Sequence, residues 1–202
     1  MGLAKRAPGG PALTDEVAEL FPAQGEWSED DYFALPDSNR IIELSDGKLE
    51  MVEMPTDPHQ AAVGQLLFRI MLFLQQHKIG FVRTAPLPVR LWPGKIREPD
   101  LVFMAAERED RIAEEYWGVP DLAVEVHSPG TRRLDRVIKK EEFARAGIRE
   151  YWRVDTTART IEVYRLEADA FELVRVFGPS DTLTSAVLPD IQLKAGEVFE
   201  AR

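Results

Sequence analysis

Three carboxylates lie in or beside apolar runs of the sequence: Glu43 in Ile41-Ile42-Glu43-Leu44, Asp100 in Pro99-Asp100-Leu101-Val102, and Glu125 in Val124-Glu125-Val126. Taking an acid out of water is unfavourable unless it is paired, hydrogen-bonded or bound to a metal ion. Singly, each is accommodated as a strand-edge acid or as the partner of an arginine. Together, on adjacent strands, they could converge on a hard cation such as Mg²⁺, which takes oxygen ligands at about 2.0 to 2.1 Å and keeps several waters. Asp121 competes for the role of first acid. On one extended segment, however, it stands about 13 Å from Glu125 at roughly 3.3 Å per residue, so one ion cannot take both. Asp100 belongs to another segment, and neighbouring strands lie only about 4.8 Å apart.

A cation and two histidines complete the set. On a helix, Lys139 falls between Phe143 and Ala146 rather than on a wholly charged face, so its amine can reach inward. The alternative is a surface pair between Asp135 and Lys139 at i, i+4. His59, in the first turn of an expected helix, is either a site residue near the carboxylates or an N-terminal polar group. His127 alternates with Glu125 and shares its strand face, as ligand, proton carrier or hydrogen-bonded bystander. His77, near a helix end, is a surface or capping residue.

These side chains need a scaffold, and the sequence describes one. Ser28 and Asp31 are spaced as a capping box for a short helix to about Leu35. Ser45-Asp46-Gly47 joins the runs Arg40 to Leu44 and Lys48 to Met54 as a β-hairpin. Asp57-Pro58 opens a long helix through about His77, with Val63, Leu66, Leu67, Ile70 and Leu74 at helical spacing and Gly80 as its stop. Strands follow at Phe81 to Arg83, Pro86 to Trp92 and Pro99 to Met104. Leu122 to Val126 is nearly all apolar and reads as a central strand covered on both faces. After Ser128-Pro129-Gly130 comes a helix from Thr131 to Ala146 ended by Gly147. Strands at Glu150 to Asp155, Thr160 to Leu166 and Phe171 to Phe177 close the series. The strand, helix, strand order around Leu122 to Val154 predicts a right-handed crossover and a parallel pair in a mixed sheet. The class is α/β, or α+β if hairpins dominate. Residues 1–25, with a short helix at Thr14 to Leu20, are expected as a weakly ordered arm before one domain over 26–202.

Composition sets the outer bounds. The chain has 202 residues, 45% of them hydrophobic, enough for one buried core. It has no cysteine, so disulfides and thiolate metal sites are excluded, and any metal must use oxygen or histidine ligands. The longest stretch free of Asp, Glu, Lys and Arg runs from Pro58 to Phe68, too short for a membrane span. No apolar run follows Lys5 and Arg6 as a secretory signal requires, which makes the cytoplasm the expected location. The formal charge of -10 argues against nonspecific coating of nucleic acid. Two local basic patches nevertheless stand out, Arg83, Arg90, Lys95 and Arg97, and Arg132, Arg133, Arg136, Lys139 and Lys140.

Pro99-Asp100, then Glu125-Val126-His127, with Lys139 on the next helix, resembles the PD-(D/E)XK nuclease superfamily. More closely, Ile42 through Gly47, Pro58-His59-Gln60, Glu98 through Leu101, Pro120 through Val126, Ser128 through Thr131, and Asp135 through Asp155 resemble blocks of the Uma family of bacterial putative restriction endonucleases. The resemblance covers roughly Ser28 to the C-terminus. It implies a restriction-endonuclease-like mixed β-sheet flanked by helices. It also implies Asp100 and Glu125 as metal ligands, Glu43 as an additional acid, Lys139 as a migrated lysine, Mg²⁺ (or Mn²⁺) as cofactor, and DNA as substrate. His127 departs from the pattern, because the superfamily motif has lysine there. The basic patches would track phosphates, giving weak, salt-sensitive DNA affinity, and a homodimer would serve to cut both strands. Two rival readings are a catalytically inactive nuclease-fold binding or interaction module and a metal hydrolase with another substrate.

Overall fold

Ser28 starts the first described helix, α1 (Glu29–Phe33), by a reciprocal cap. Its hydroxyl accepts from the Asp31 N–H at 3.1 Å, and the Asp31 carboxylate accepts from the Ser28 N–H at 3.0 Å. This computed structural model describes residues 21–36, 40–127 and 133–200. The expected helix at 14–20, the turn at 128–130 and the side chain of Asp135 lie outside them. Within the expected arm, Gln24 and Gly25 hydrogen-bond to the hairpin, through Leu49 N and Gly47 O.

Asp46 and Gly47 both take left-handed backbone, with φ of 49° and 78°, the twist a two-residue turn needs. They join β1 (Ile42–Ser45) to β2 (Lys48–Met51). Helix α2 runs Asp57–His77, as its periodicity predicts, and turns Ala62, Val63, Leu66, Ile70 and Phe73 inward. Its stop differs from expectation: Lys78, at φ 52°, caps it, while Gly80 opens β3 (Gly80–Thr84). Gly80 is required there by close approach, since a Cβ would lie 2.1 Å from the Met104 carbonyl oxygen.

The run expected as one strand from Pro86 pairs only as β4 (Val89–Trp92), because Pro86 and Pro88 have no N–H to give a ladder. A strand not foreseen, β5 (Lys95–Arg97), follows at once. β6 (Leu101–Ala105), a 3₁₀ turn at Ala106–Arg111, and β7 (Leu122–His127) come next. Helix α3 (Arg133–Ala146) leads to β8 (Glu150–Asp155), β9 (Thr160–Glu167) and β10 (Ala170–Phe177). The short pair β11 (Thr182–Leu183) and β12 (Leu193–Lys194) ends the strands.

The main sheet has six strands in the order β10-β9-β8-β7-β6-β3, antiparallel except for the parallel β7–β8 pair that α3 connects. The second sheet, β2-β1-β5-β4, is antiparallel. Every residue of β7 is buried, as a strand covered on both faces must be. On one face α2 packs with Phe103, Leu122, Val124 and Trp152. On the other, Phe143 and Ala144 of α3 pack with Val102, Ala123, Tyr151 and Phe171. The result is a mixed sheet flanked by helices, the architecture expected from the sequence. Among the described residues, no helix is long and apolar enough to cross a membrane.

The chain beyond β10 is fastened by a buried acid. Glu150 is 0% exposed, and its carboxylate accepts from Trp152 Nε1 at 2.7 Å, the Ser185 hydroxyl at 2.6 Å and Ala186 N at 2.7 Å. Glu150→Ala leaves these donors without their acceptor and is expected to lower the unfolding free energy by about 2 to 4 kcal/mol in urea denaturation. A loss near zero would show that the clamp contributes nothing.

Candidate active site

The antiparallel register that sets Leu101 opposite Val124 and Val102 opposite Ala123, continued by one residue, sets Asp100 opposite Glu125. Directly opposed residues share a sheet face. Here it is the face of Val102 and Ala123, the one covered by α3. Asp100 is fixed at the start of β6: its Oδ2 accepts from Val126 N at 2.7 Å. His59 reaches the same carboxylate from the first turn of α2, with Nε2 3.1 Å from Oδ1. The His59 Nδ1 is buried and has no hydrogen-bond partner among the described residues.

The third expected acid lies within a buried set of charges. Glu43 is 2% exposed, and both of its oxygens are engaged. Oε1 accepts from Lys139 Nζ at 2.9 Å and from Glu98 N at 3.0 Å, and Oε2 from Arg97 Nη1 at 2.9 Å. Burial alone would raise the Glu43 carboxyl, but the Lys139 and Arg97 charges overcome it and hold it below the ordinary carboxylate range. Lys139 Nζ also lies 3.5 Å from Glu125 Oε1. Lys139 therefore links the two sheets, with Glu43 from the small one and Glu125 from the large one. Among the described residues, no three His, Asp or Glu side chains are grouped so as to hold a metal ion together.

The remaining candidates separate. His127 is buried at the end of β7, two residues past Glu125. Asp121 sits at the other end of β7, where it accepts from Ala105 N at 2.8 Å and pairs with Arg108 at 2.9 Å, a structural clamp. His77 stacks on Phe73 in the last turn of α2.

Three of the four residues of the first basic patch are paired with acids, while Arg83 is exposed and donates to the Val82 carbonyl oxygen at 2.8 Å. Arg97 is 1% and Lys95 3% exposed. Arg97 gives Nε and Nη2 to Glu142 at 2.7 and 3.0 Å, a bidentate pair, and Lys95 binds the same carboxylate at 2.8 Å. Arg90 pairs with Glu29 at 2.9 Å. Acids distant in sequence consume these charges, which local counting could not show.

Sequence reading also passed over Glu98 and Tyr151. Glu98 is buried beside Tyr32, whose hydroxyl donates to it at 3.1 Å. Burial, opposed by that hydrogen bond and helped by the Glu43 charge, pushes its carboxyl up to about 7. Tyr151 is 1% exposed beneath α3, and its hydroxyl is held well above its usual range, first by burial and then by the Glu125 charge. The available signal was Glu98's place directly before Pro99-Asp100.

The model of the Uma2 family, described as "Putative restriction endonuclease", matches residues 29–196. Among solved structures, a putative nuclease belonging to DUF820 from Anabaena variabilis is similar, with a TM-score of 0.71 and 19% identity over 86% of this chain and 97% of that one. At that identity the likeness establishes the fold. No curated protein matches the chain.

The elevated Glu98 carboxyl makes a stability prediction. The folded state holds a proton that the unfolded chain releases near 4.5, so this contribution is complete below pH 4.5 and lost as pH rises towards about 7. In metal-free buffer, Glu98→Gln should match the parent near pH 4.5 and exceed its unfolding free energy by about 1 to 3 kcal/mol at pH 8. Identical pH profiles for the two proteins would contradict the assignment.

Proposed function

Because the chain belongs to the Uma2 family of putative restriction endonucleases, we propose that it is a Mg²⁺-dependent endonuclease that hydrolyses phosphodiester bonds in DNA, centred on Asp100, Glu125 and Lys139. The observation that carries this reading is the convergence of Lys139 with Glu125 at 3.5 Å, beside an Asp100 that the strand register sets opposite Glu125.

The donor set suits the ion. Mg²⁺ is ordinarily held by one or two carboxylates and several waters, so Asp100 and Glu125 suffice without a third acid. Bound there, Mg²⁺ or Mn²⁺ supplies Lewis acidity that makes water nucleophilic near neutral pH and offsets charge on the phosphate. Val126 N–H and His59 hold the Asp100 carboxylate in one orientation. Glu43, held between the Lys139 and Arg97 charges, positions Lys139 in this reading. The Lys139 ammonium orients the attacking water or balances charge developing on the phosphoryl oxygens. His127, on the Glu125 face of β7, is the candidate proton carrier to the leaving oxygen. A homodimer would present one such centre to each strand of a duplex.

Incubation of plasmid and single-stranded DNA with Mg²⁺ or Mn²⁺ tests the proposal. Cleavage is expected from the parent protein, with losses on the order of 10²-fold or more in Asp100→Asn, Glu125→Ala and Lys139→Ala, and none remaining in EDTA. Equal digestion by parent and Glu125→Ala would place the activity elsewhere. DNA affinity should fall steeply with added salt.

A further inference from the structure

Beside the candidate centre, between α3 and strands β8 to β10, lies a cavity of about 610 Å³, within the range of small-molecule sites. Its position follows from register. Arg153 is the β8 partner of Glu125, and Glu162 is the β9 partner of Arg153, so the three form one row across the sheet beneath α3. On the helix above, Lys139 turns to Glu125 while Lys140, about 100° further round, lines the cavity with Arg153. The two spaces are neighbours on one sheet face.

The lining combines two kinds of surface. Val137, Ala144 and Phe171 are apolar, and Tyr164 presents a ring with Lys140 Nζ 3.9 Å above its centroid. Lys140 and Arg153 supply the positive charge. The Glu162 carboxylate accepts hydrogen bonds from Arg153 Nη2 and from the Tyr164 hydroxyl, and Glu141 and Asp169 add acid at the edge. With three acids against two cations, the lining accommodates at most one phosphate group and not a polyphosphate. Aromatic and apolar walls suit one base, since base–aromatic stacking does not depend on base identity.

We propose that this cavity is a nucleotide subsite, taking one unpaired nucleotide of the substrate strand next to the bond to be cut. The phosphate meets Lys140 and Arg153, and the base lies against Phe171 and Val137. The proposal rests on the nuclease reading above and narrows it to a strand that is single or locally opened at the site.

Isothermal titration of the full chain with deoxyadenosine 5′-monophosphate in EDTA tests it without metal or turnover. The parent should bind the monophosphate and bind phosphate-free deoxyadenosine more weakly. Lys140→Met, which keeps the apolar stem, should weaken monophosphate binding about tenfold, as loss of one charge-assisted contact implies. Arg153→Gln provides the same reading from the opposite wall. Absence of binding to the parent, or unchanged affinity in both folded variants, would overturn the subsite. Mononucleotide binding lost in the variants, with no DNA cleavage by the parent, would remove the nuclease reading alone. Cleavage without mononucleotide binding would remove the subsite alone.

Discussion

The buried contact of Glu43 with Lys139 and Arg97 is the constraint on which the rest depends. It joins residues 96 positions apart and brings together the small sheet, the helix α3 and, through Lys139 and Glu125, the main sheet. Burying charge is costly, and such a cluster is held only where each charge is matched. Glu43 has its two cations and a backbone N–H, and Arg97 has Glu142 as a bidentate partner. Glu142 lies three residues after Lys139, on the same inward side of α3 as Phe143. One helix face therefore carries the lysine to the site, the anchor that fixes the helix to the small sheet, and the apolar group that seats it on the main sheet.

Tertiary pairing distinguishes acids that a count of carboxylates merges. Glu43, Glu142, Asp121 and Glu150 are satisfied within the fold by arginines, lysines or backbone N–H groups. Asp100 and Glu125 stand where the start of β6 meets the second half of the central strand β7, with His59 and Lys139 as their neighbours.

Much of this was readable from the chain itself. The bounds of α2 follow from a five-residue apolar stripe with Pro58 near its start, and the hairpin from Asp46-Gly47. The burial of β7 on both faces follows from an apolar run broken only by Glu125 and His127. The strand β5 was not readable. Lys-Ile-Arg looks like an exposed turn, yet both charged ends are buried because Glu142, Glu43 and Glu50 meet them from distant segments. The same fact takes Lys95 and Arg97 out of the first basic patch inferred from local charge. Local sequence reports what a residue prefers in water, and only tertiary pairing reports which preference is overridden. Lys78 in place of Gly80 as the helix stop is a smaller case, in which glycine's role was close packing on β6.

The centre itself is tested most directly by calorimetric titration of a divalent cation, Ca²⁺ serving to avoid turnover, into the parent chain and into Asp100→Asn and Glu125→Ala. Binding is expected in the parent and lost in each variant, with Glu43→Gln weakening it only indirectly. Binding that survives in both variants, or none in the parent, would contradict a metal-seating pair at the ends of β6 and β7.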